Sequence, residues 1–416
     1  NYAPEIISTA VYTSGLADHL ARHGVETEVI AALPYYPAWR VFEGWRGPFW
    51  RRRTSASGVR VVHCPLYVPR RPTGPRRVLH HLSFALTALP VALWKGLVRR
   101  PDIVFVIAPS MVSAPVGLLA GRLGGSTLWL HIQDLEVEAA FATGLLSRDS
   151  RGGRIAGSFE HWVLRRFDRI STISQAMLCK LRDKGLPAHA TYELRNWADL
   201  GNVAPQSAPS PLRAELGITT RHVALYSGSL SNKQGLEVLP EMARRLMHRR
   251  DLTIVVCGEG PMRDSLHARA EGLDNIRFIP LQPLSRLNDL LGMADVHLLP
   301  QIAGAADLLL PSKLTNMLAS GRPVLAMAEA ETSLGREVAG VGVLVPPENP
   351  DAAADALEAM LDSPAERAEY GRAAREIALT RWDMDVILDR LLGEFERLAP
   401  APHVARETAR DSRKKL

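Results

Sequence analysis

The stretch Gly304–Met327, GAADLLLPSKLTNMLASGRPVLAM, constrains the fold of this chain more than any other. It reads as loop, short helix, turn and strand in immediate succession. Pro311 suits the first turn of a helix, where a backbone N–H has no intrahelical partner to lose. Lys313–Ala319 is a compact helical run, and Gly321 is placed to terminate it. Pro323–Met327 then reads as a strand with no polar residue to turn toward water, as in a parallel sheet covered on both faces. Apolar strand candidates recur at 102–108, 126–132, 222–227, 252–257 and 295–300, so the expected class is α/β. A helix start offers free N–H groups and a partial positive charge, and Lys313 adds a full charge there. That combination suits a diphosphate. On these residues alone, an ordinary loop–helix–strand unit with a solvated lysine fits as well.

At 416 residues the chain is too long for one typical core. The expected division is 1–197, a Pro-, Ser- and Ala-rich linker 198–211, a second domain 212–381, a helix 382–399 and a disordered basic tail 400–416. A net charge of +6 suits an anionic partner: nucleotide, phospholipid surface or nucleic acid. No aromatic-and-basic RNA-binding signature is present, so nucleic acid is not an expected partner. Cys64, Cys179 and Cys257 are widely spaced, which fits a reducing cytoplasm and not a metal centre.

Several stretches carry candidate chemistry. Gly228-Ser229-Leu230-Ser231-Asn232-Lys233-Gln234-Gly235 follows a strand and is a glycine-bordered loop with a lysine, a natural anion contact. Gly258-Glu259-Gly260-Pro261 follows the next strand, and its small residues let a ligand approach the backbone. Leu281 ends the strand candidate 276–281. His131, followed by Gln133 and Asp134, lies at the carboxyl end of its strand, the edge where open α/β sheets bind ligands. Asp134 is the nearest base candidate. Tyr35, Tyr36 and Trp39 in LPYYPAWR can stack on a sugar or pack at a domain edge.

In Arg70–Arg100 an apolar run from Leu82 to Leu93 is flanked by Arg70, Arg71, Arg76 and Arg77 on one side and by Lys95, Arg99 and Arg100 on the other. The run is expected to be too short, and too interrupted at Pro90, for the roughly 20 apolar residues a bilayer crossing needs. It reads as an interfacial helix whose cations meet anionic lipid, or as a buried helix with a solvated basic rim.

PSKLTNMLASGRPVLA resembles the signature segment of the family-four retaining GT-B glycosyltransferases, closest to the WcaI-type branch of colanic acid and exopolysaccharide biosynthesis. HIQD, YSGSLSNKQGLE, GEGP and LPYYPAWR are similar to segments of the same family. The resemblance implies two Rossmann-like domains facing across a cleft, with a C-terminal helix crossing back onto the first. It implies a hexosyltransferase-type reaction with a GDP- or UDP-sugar donor and retention at the anomeric carbon. The donor would lie against Gly228, Ser229, Lys233, Gly258, Glu259, Gly260, Leu281, Ser312, Lys313, Leu314 and Asn316. Tyr12, Tyr35 and Tyr36 would face a saccharide or lipid-linked acceptor, and His131, with Asp134, would be catalytic, His131 matching the family's active-site histidine and touching the transferred sugar or acceptor. No cofactor and no obligatory metal are expected, and the setting would be the cytoplasmic face of the cell membrane.

The sequence also departs from that pattern. Two glutamates usual in the family are replaced by Leu308 and Asn316, and the usual Arg and Lys by Ser229 and Gln234. Asn316 can still hydrogen-bond a ribose hydroxyl. The usually glycine-rich loop near the start is Ile6-Ile7-Ser8-Thr9-Ala10. Family members carry an apolar strand just before the NYAPE-like turn, so the chain is expected to lack that strand and to leave a gap in its first sheet. A nucleotide-sugar epimerase and a non-catalytic nucleotide-sugar-binding homologue are the alternative functions.

Overall fold

The computed structural model describes residues 1–5, 9–108, 111–142, 146–303 and 313–399. The expectations for Ile6–Ser8, Leu308, Ser312 and the tail 400–416 lie outside those residues. The first half contains β1 (Glu28–Ala32), β2 (Arg51–Thr54), β3 (Arg60–Cys64), β4 (Ile103–Ala108), β5 (Thr127–Ile132), β6 (Arg169–Thr172) and β7 (Thr191–Glu193). They form two sheets, β1-β3-β2 and the parallel β4-β5-β6-β7. Among the described residues β1 and β4 do not pair.

The helix Gly74–Val98 packs on β1 and β3 and against the helix Ala114–Gly124. Ala88 sits with Val62 and Cys64 of β3, while Ile30, Val91 and Val116 close around them. Gly96 touches the backbone of the helix Ala114–Gly124, where a Cβ would lie 2.3 Å from the Ala120 carbonyl oxygen. Lys95 is held by the carboxylate of Glu28, which also takes Arg60. Burial alone would raise the Glu28 pKa, but hydrogen bonds from Lys95 and Arg60 outweigh it and leave it lowered.

This helix corrects two expectations. It runs unbroken for 25 residues through Pro90, about 37 Å at 1.5 Å per residue, and is therefore long enough and apolar enough to cross a membrane. Pro90 lies on the exposed side, and the packed stripe of Ala85, Ala88, Ala92 and Gly96 holds the helix on either side of it. Lys95 is also not part of an outward basic rim, because Glu28 holds it.

The second half is one parallel sheet of β8 (His222–Ser227), β9 (Leu252–Cys257), β10 (Ile276–Ile279), β11 (Val296–Pro300), β12 (Val324–Met327) and β13 (Gly342–Val345). Its order is β10-β9-β8-β11-β12-β13. β8 and β9 are buried along nearly their whole length, which is why their sequences show no polar alternation. The order reverses between β8 and β11, and the crevice beyond the carboxyl ends at such a switch is where ligands bind.

The halves are tied at Trp197–Asp199 and at the C-terminus. The Ala198 N–H donates to the Trp382 carbonyl at 2.7 Å. Arg195 pairs with Glu337 at 2.7 Å, and its guanidinium lies 5.1 Å from the Trp382 ring centre. Asp383 caps the terminal helix Met384–Leu398 by accepting from the Val386 N–H at 2.9 Å. Leu388, Leu391 and Phe395 of that helix then pack on Leu16, Leu20, Trp129 and Trp197 of the first half. Asp383-Met384-Asp385 has the spacing of an acidic metal–diphosphate motif, but in the fold it starts this returning helix.

Gly96→Ala must force two helix backbones apart, so it should destabilise by about 1–3 kcal/mol. The check is thermal unfolding; a variant melting with the wild type would contradict the close approach.

Candidate active site

The candidate site is built at the carboxyl ends of β8, β9 and β11, around the start of the helix Lys313–Ala319. Gly228 takes φ +147°, and its N–H donates to the Cys257 carbonyl at 2.9 Å. Gly260, at φ +157°, lies against Leu230, whose N–H donates to the Glu259 carbonyl at 2.9 Å. A Cβ on Gly258 would meet the Gly228 carbonyl oxygen at 1.9 Å. The two glycine loops are therefore stacked backbone on backbone, which no other residue type allows at Gly258.

Lys313 reaches into this junction. A Cβ on Gly228 would stand 3.4 Å from its Nζ. Nζ donates to the Tyr226 hydroxyl at 3.0 Å and to Gln234 Oε1 at 2.8 Å, and it lies 4.1 Å from the Tyr226 ring centre. Tyr226 Oη in turn donates to the Ser229 carbonyl at 2.7 Å. These partners are neutral, and no ion pair to Lys313 occurs among the described residues. Loss of water around the ammonium lowers its pKa to about 7. An ammonium held this way is a receptor for an anion.

Other expected contacts are placed differently. Leu314 is fully buried in the core, so only its backbone is near the site. Asn316 Oδ1 accepts from the Asp199 N–H at 2.8 Å, which ties it to the segment between the halves. Lys233 lies in the turn Asn232–Gln234, and its side chain is outside the described atoms. Glu259 is exposed and accepts from Arg263 at 2.7 Å. Leu281 is exposed just beyond β10.

His131 is buried at the end of β5. Gln133 Nε2 donates to its Nε2 at 2.8 Å, and its Nδ1 donates to Ser171 Oγ at 2.9 Å. Ser171 also accepts from Trp129 Nε1 at 2.8 Å, and Gln133 is locked to Asn196 through two 3.1 Å hydrogen bonds. Burial lowers the His131 pKa to about 3. The ring is neutral with both nitrogens engaged, so this geometry does not give it the expected sugar contact; it braces Gln133 and Asn196. Asp134 is half-buried beside it.

Comparison with known proteins places this geometry. The family described as glycosyl transferase 4-like domain matches residues 9–197, and that described as glycosyl transferases group 1 matches 211–377. The chain is 36% identical over 407 residues to the Escherichia coli K12 protein WcaI, assigned to colanic acid biosynthesis as a glycosyl transferase. That match covers 95% of this chain and 98% of WcaI. The chain belongs to the GT-B glycosyltransferases. Its fold is similar to that of sucrose-phosphate synthase from Thermosynechococcus elongatus, with a TM-score of 0.73, 16% identity and 94% of each chain covered. It is also similar to Anabaena HepE in complex with UDP and glucose, with a TM-score of 0.64, 17% identity, and 92% of this chain and 95% of that one covered.

Of the residues expected to face an acceptor, Tyr12 hydrogen-bonds Thr315 across the halves, and burial raises its pKa to about 12. It therefore reaches the signature helix itself. Tyr35 is buried, edge-on to His80 at 4.6 Å, with Trp39 5.5 Å away. The backbone N–H groups of Tyr35 and Tyr36 both donate to buried Glu5, at 2.8 and 2.9 Å. Tyr35 is thus packing and not a sugar platform, while Tyr36 remains exposed. The sequence reading missed Tyr226, Gln234 and Arg263 as site residues. Tyr226 was legible as the polar-tipped aromatic at the end of β8, two residues before the glycine loop of this glycosyltransferase.

Lys313→Met tests the buried ammonium. Because the folded pKa is depressed, the charge destabilises the fold fully below pH 7, and the cost is relieved as pH rises toward 10.5. The variant should gain thermal stability over the wild type at pH 6, and the gain should shrink by pH 10. A pH-independent difference would contradict the assignment.

Proposed function

We propose that this glycosyltransferase takes a hexosyl group from a UDP- or GDP-sugar seated on its second half and passes it, with retention, to a lipid-linked saccharide precursor. The observation that carries the reading is Lys313, an ammonium among neutral partners at the meeting point of two glycine loops. A diphosphate placed there gains a full charge in a low-dielectric setting, and the interaction strengthens as the leaving group develops charge. That HepE binds UDP and glucose on a similar fold supports the donor class. His131 is neutral with both nitrogens engaged, which suits a front-face displacement in which the leaving diphosphate, not a side chain, receives the acceptor proton. Lys313 with the loop N–H groups would carry the charge stabilisation without an obligatory metal.

The lipid-linked part of the reading rests on the helix Gly74–Val98. Leu79, Leu82, Leu86, Trp94 and Leu97 form an exposed stripe, with Arg70, Arg71, Arg76 and Arg77 at one end and Arg99 and Arg100 at the other. Its opposite stripe is bound to the protein. A helix with one face committed in this way lies in the surface of an anionic membrane, on the cytoplasmic side where sugar nucleotides are found.

Thermal stabilisation by UDP, GDP and ADP tests the donor. One nucleotide at a hundredfold excess over its dissociation constant should stabilise by about 2.7 kcal/mol, and Lys313→Ala should lose most of that shift. No shift from any of the three would overturn the reading. In flotation with vesicles containing anionic lipid, the double variant Leu86→Glu, Trp94→Glu should lose binding while keeping its nucleotide shift. Undiminished flotation would overturn the membrane-docking reading.

A further inference from the structure

Away from the cleft, the first helix, Thr9–Arg22, meets the terminal helix, Met384–Leu398, through two matched pairs. His19 lies in the last turn of one and His23, four residues on, just past its end, with its N–H donating to the His19 carbonyl at 3.1 Å; Asp385 and Asp389 are four apart on the other. Such spacing puts each pair on one side of its helix. His19 Nε2 lies 3.0 Å from Asp389 Oδ1, and His23 Nε2 lies 3.8 Å from the same oxygen. The imidazole rings are 4.2 Å apart between centres. We propose that His19, His23 and Asp389 form a site for a divalent transition-metal ion of the zinc type, pinning the terminal helix to the first half of the chain.

Three observations carry this. The first is geometric. A tetrahedral ion with ligand bonds near 2.0–2.2 Å sets its ligand atoms roughly 3.3–3.5 Å apart, and the two measured separations bracket that value. One ligand atom from each of the three residues lies within 4.8 Å of the others.

The second is the proton arrangement at His23. Its Nδ1 is 2.9 Å from the His19 carbonyl oxygen, which can only accept, so Nδ1 carries the hydrogen. Nε2 is then the ring nitrogen turned toward Asp389, 3.8 Å from its Oδ1 and on the same side as His19 Nε2.

The third is the buried His19. Its side chain is fully buried, and its Nδ1 has no hydrogen-bond partner, although Asp385 Oδ1 is only 3.3 Å away. With an ion on Nε2, the proton must sit on Nδ1, and a small rotation seats it on Asp385. That is the carboxylate–histidine–metal relay that orients ligand rings. His23 and Asp389 are about half-exposed, which leaves an approach for the ion and a fourth position for water. Two imidazoles and one carboxylate favour zinc, nickel or cobalt over magnesium or calcium.

The test is equilibrium dialysis of the full chain, stripped with chelator, against zinc ion, with cobalt(II) absorption as a second readout. One equivalent should bind at micromolar zinc, raise the melting temperature, and give the intense visible bands of a tetrahedral cobalt site. His23→Gln and Asp389→Asn should each weaken binding at least tenfold, and Asp385→Asn by about tenfold through ring orientation alone. Both His23 and Asp389 are accessible, so the variants should fold, and their metal-free melting curves check that. Zinc affinity unchanged in His23→Gln, or no stoichiometric binding to the wild type, would overturn the proposal. The latter result would leave the cluster as a clamp held by protons.

Discussion

The interaction on which the candidate site depends is the enclosure of the Lys313 ammonium by Tyr226, Gln234 and the Gly228 loop. None of those partners carries a charge, so burying the ammonium costs free energy in the unliganded protein. That cost is the reason for the architecture around it. The loops after β8 and β9 must approach closely enough for glycine backbones to touch, and the strands beneath them must be rigid. The buried β8 and β9 provide that rigidity, and the switch in strand order opens the crevice above them.

The second constraint is the join between the halves. Besides the apolar packing of the terminal helix, polar side chains make it. Asn316 sits on the helix that begins with Lys313, and it holds the Asp199 backbone. Tyr12, on the first helix, bonds the neighbouring Thr315. Arg195 bridges β7 to Glu337 and covers Trp382. The helix bearing Lys313 is thus held at two successive residues, by Tyr12 of the first half and by the backbone of Asp199 in the segment between the halves. Asn316 replaces a carboxylate usual in the family and has become part of this joint.

Much of this was legible in the sequence, for identifiable reasons. Strands buried on both faces announce themselves as apolar runs, and Gly228, Gly258 and Gly260 mark places where backbone must approach backbone. What failed were inferences about partners contributed by distant segments. Pro90 reads as an interruption until the helix is seen to expose it and to be held by Ala88 and Gly96. Lys95 reads as part of a basic rim until Glu28 is found beneath it. Tyr35 reads equally as a sugar platform or as packing until Glu5 is found on its backbone N–H and His80 against its ring. His131 reads as a catalytic ring until Ser171, one strand over, and Gln133 take both nitrogens. A strand's own sequence carries no record of what the adjacent strand offers.

The most direct test of the central claim is the pKa of Lys313 itself, followed by NMR on protein labelled at the lysine ε-carbon, with Lys313→Arg to assign the signal. The account predicts a value near 7 in the unliganded enzyme, moving upward by about two units or more when a nucleotide-diphosphate sugar supplies the missing anion. A Lys313 that titrates above pH 10 without ligand, or that does not respond to one, would contradict it.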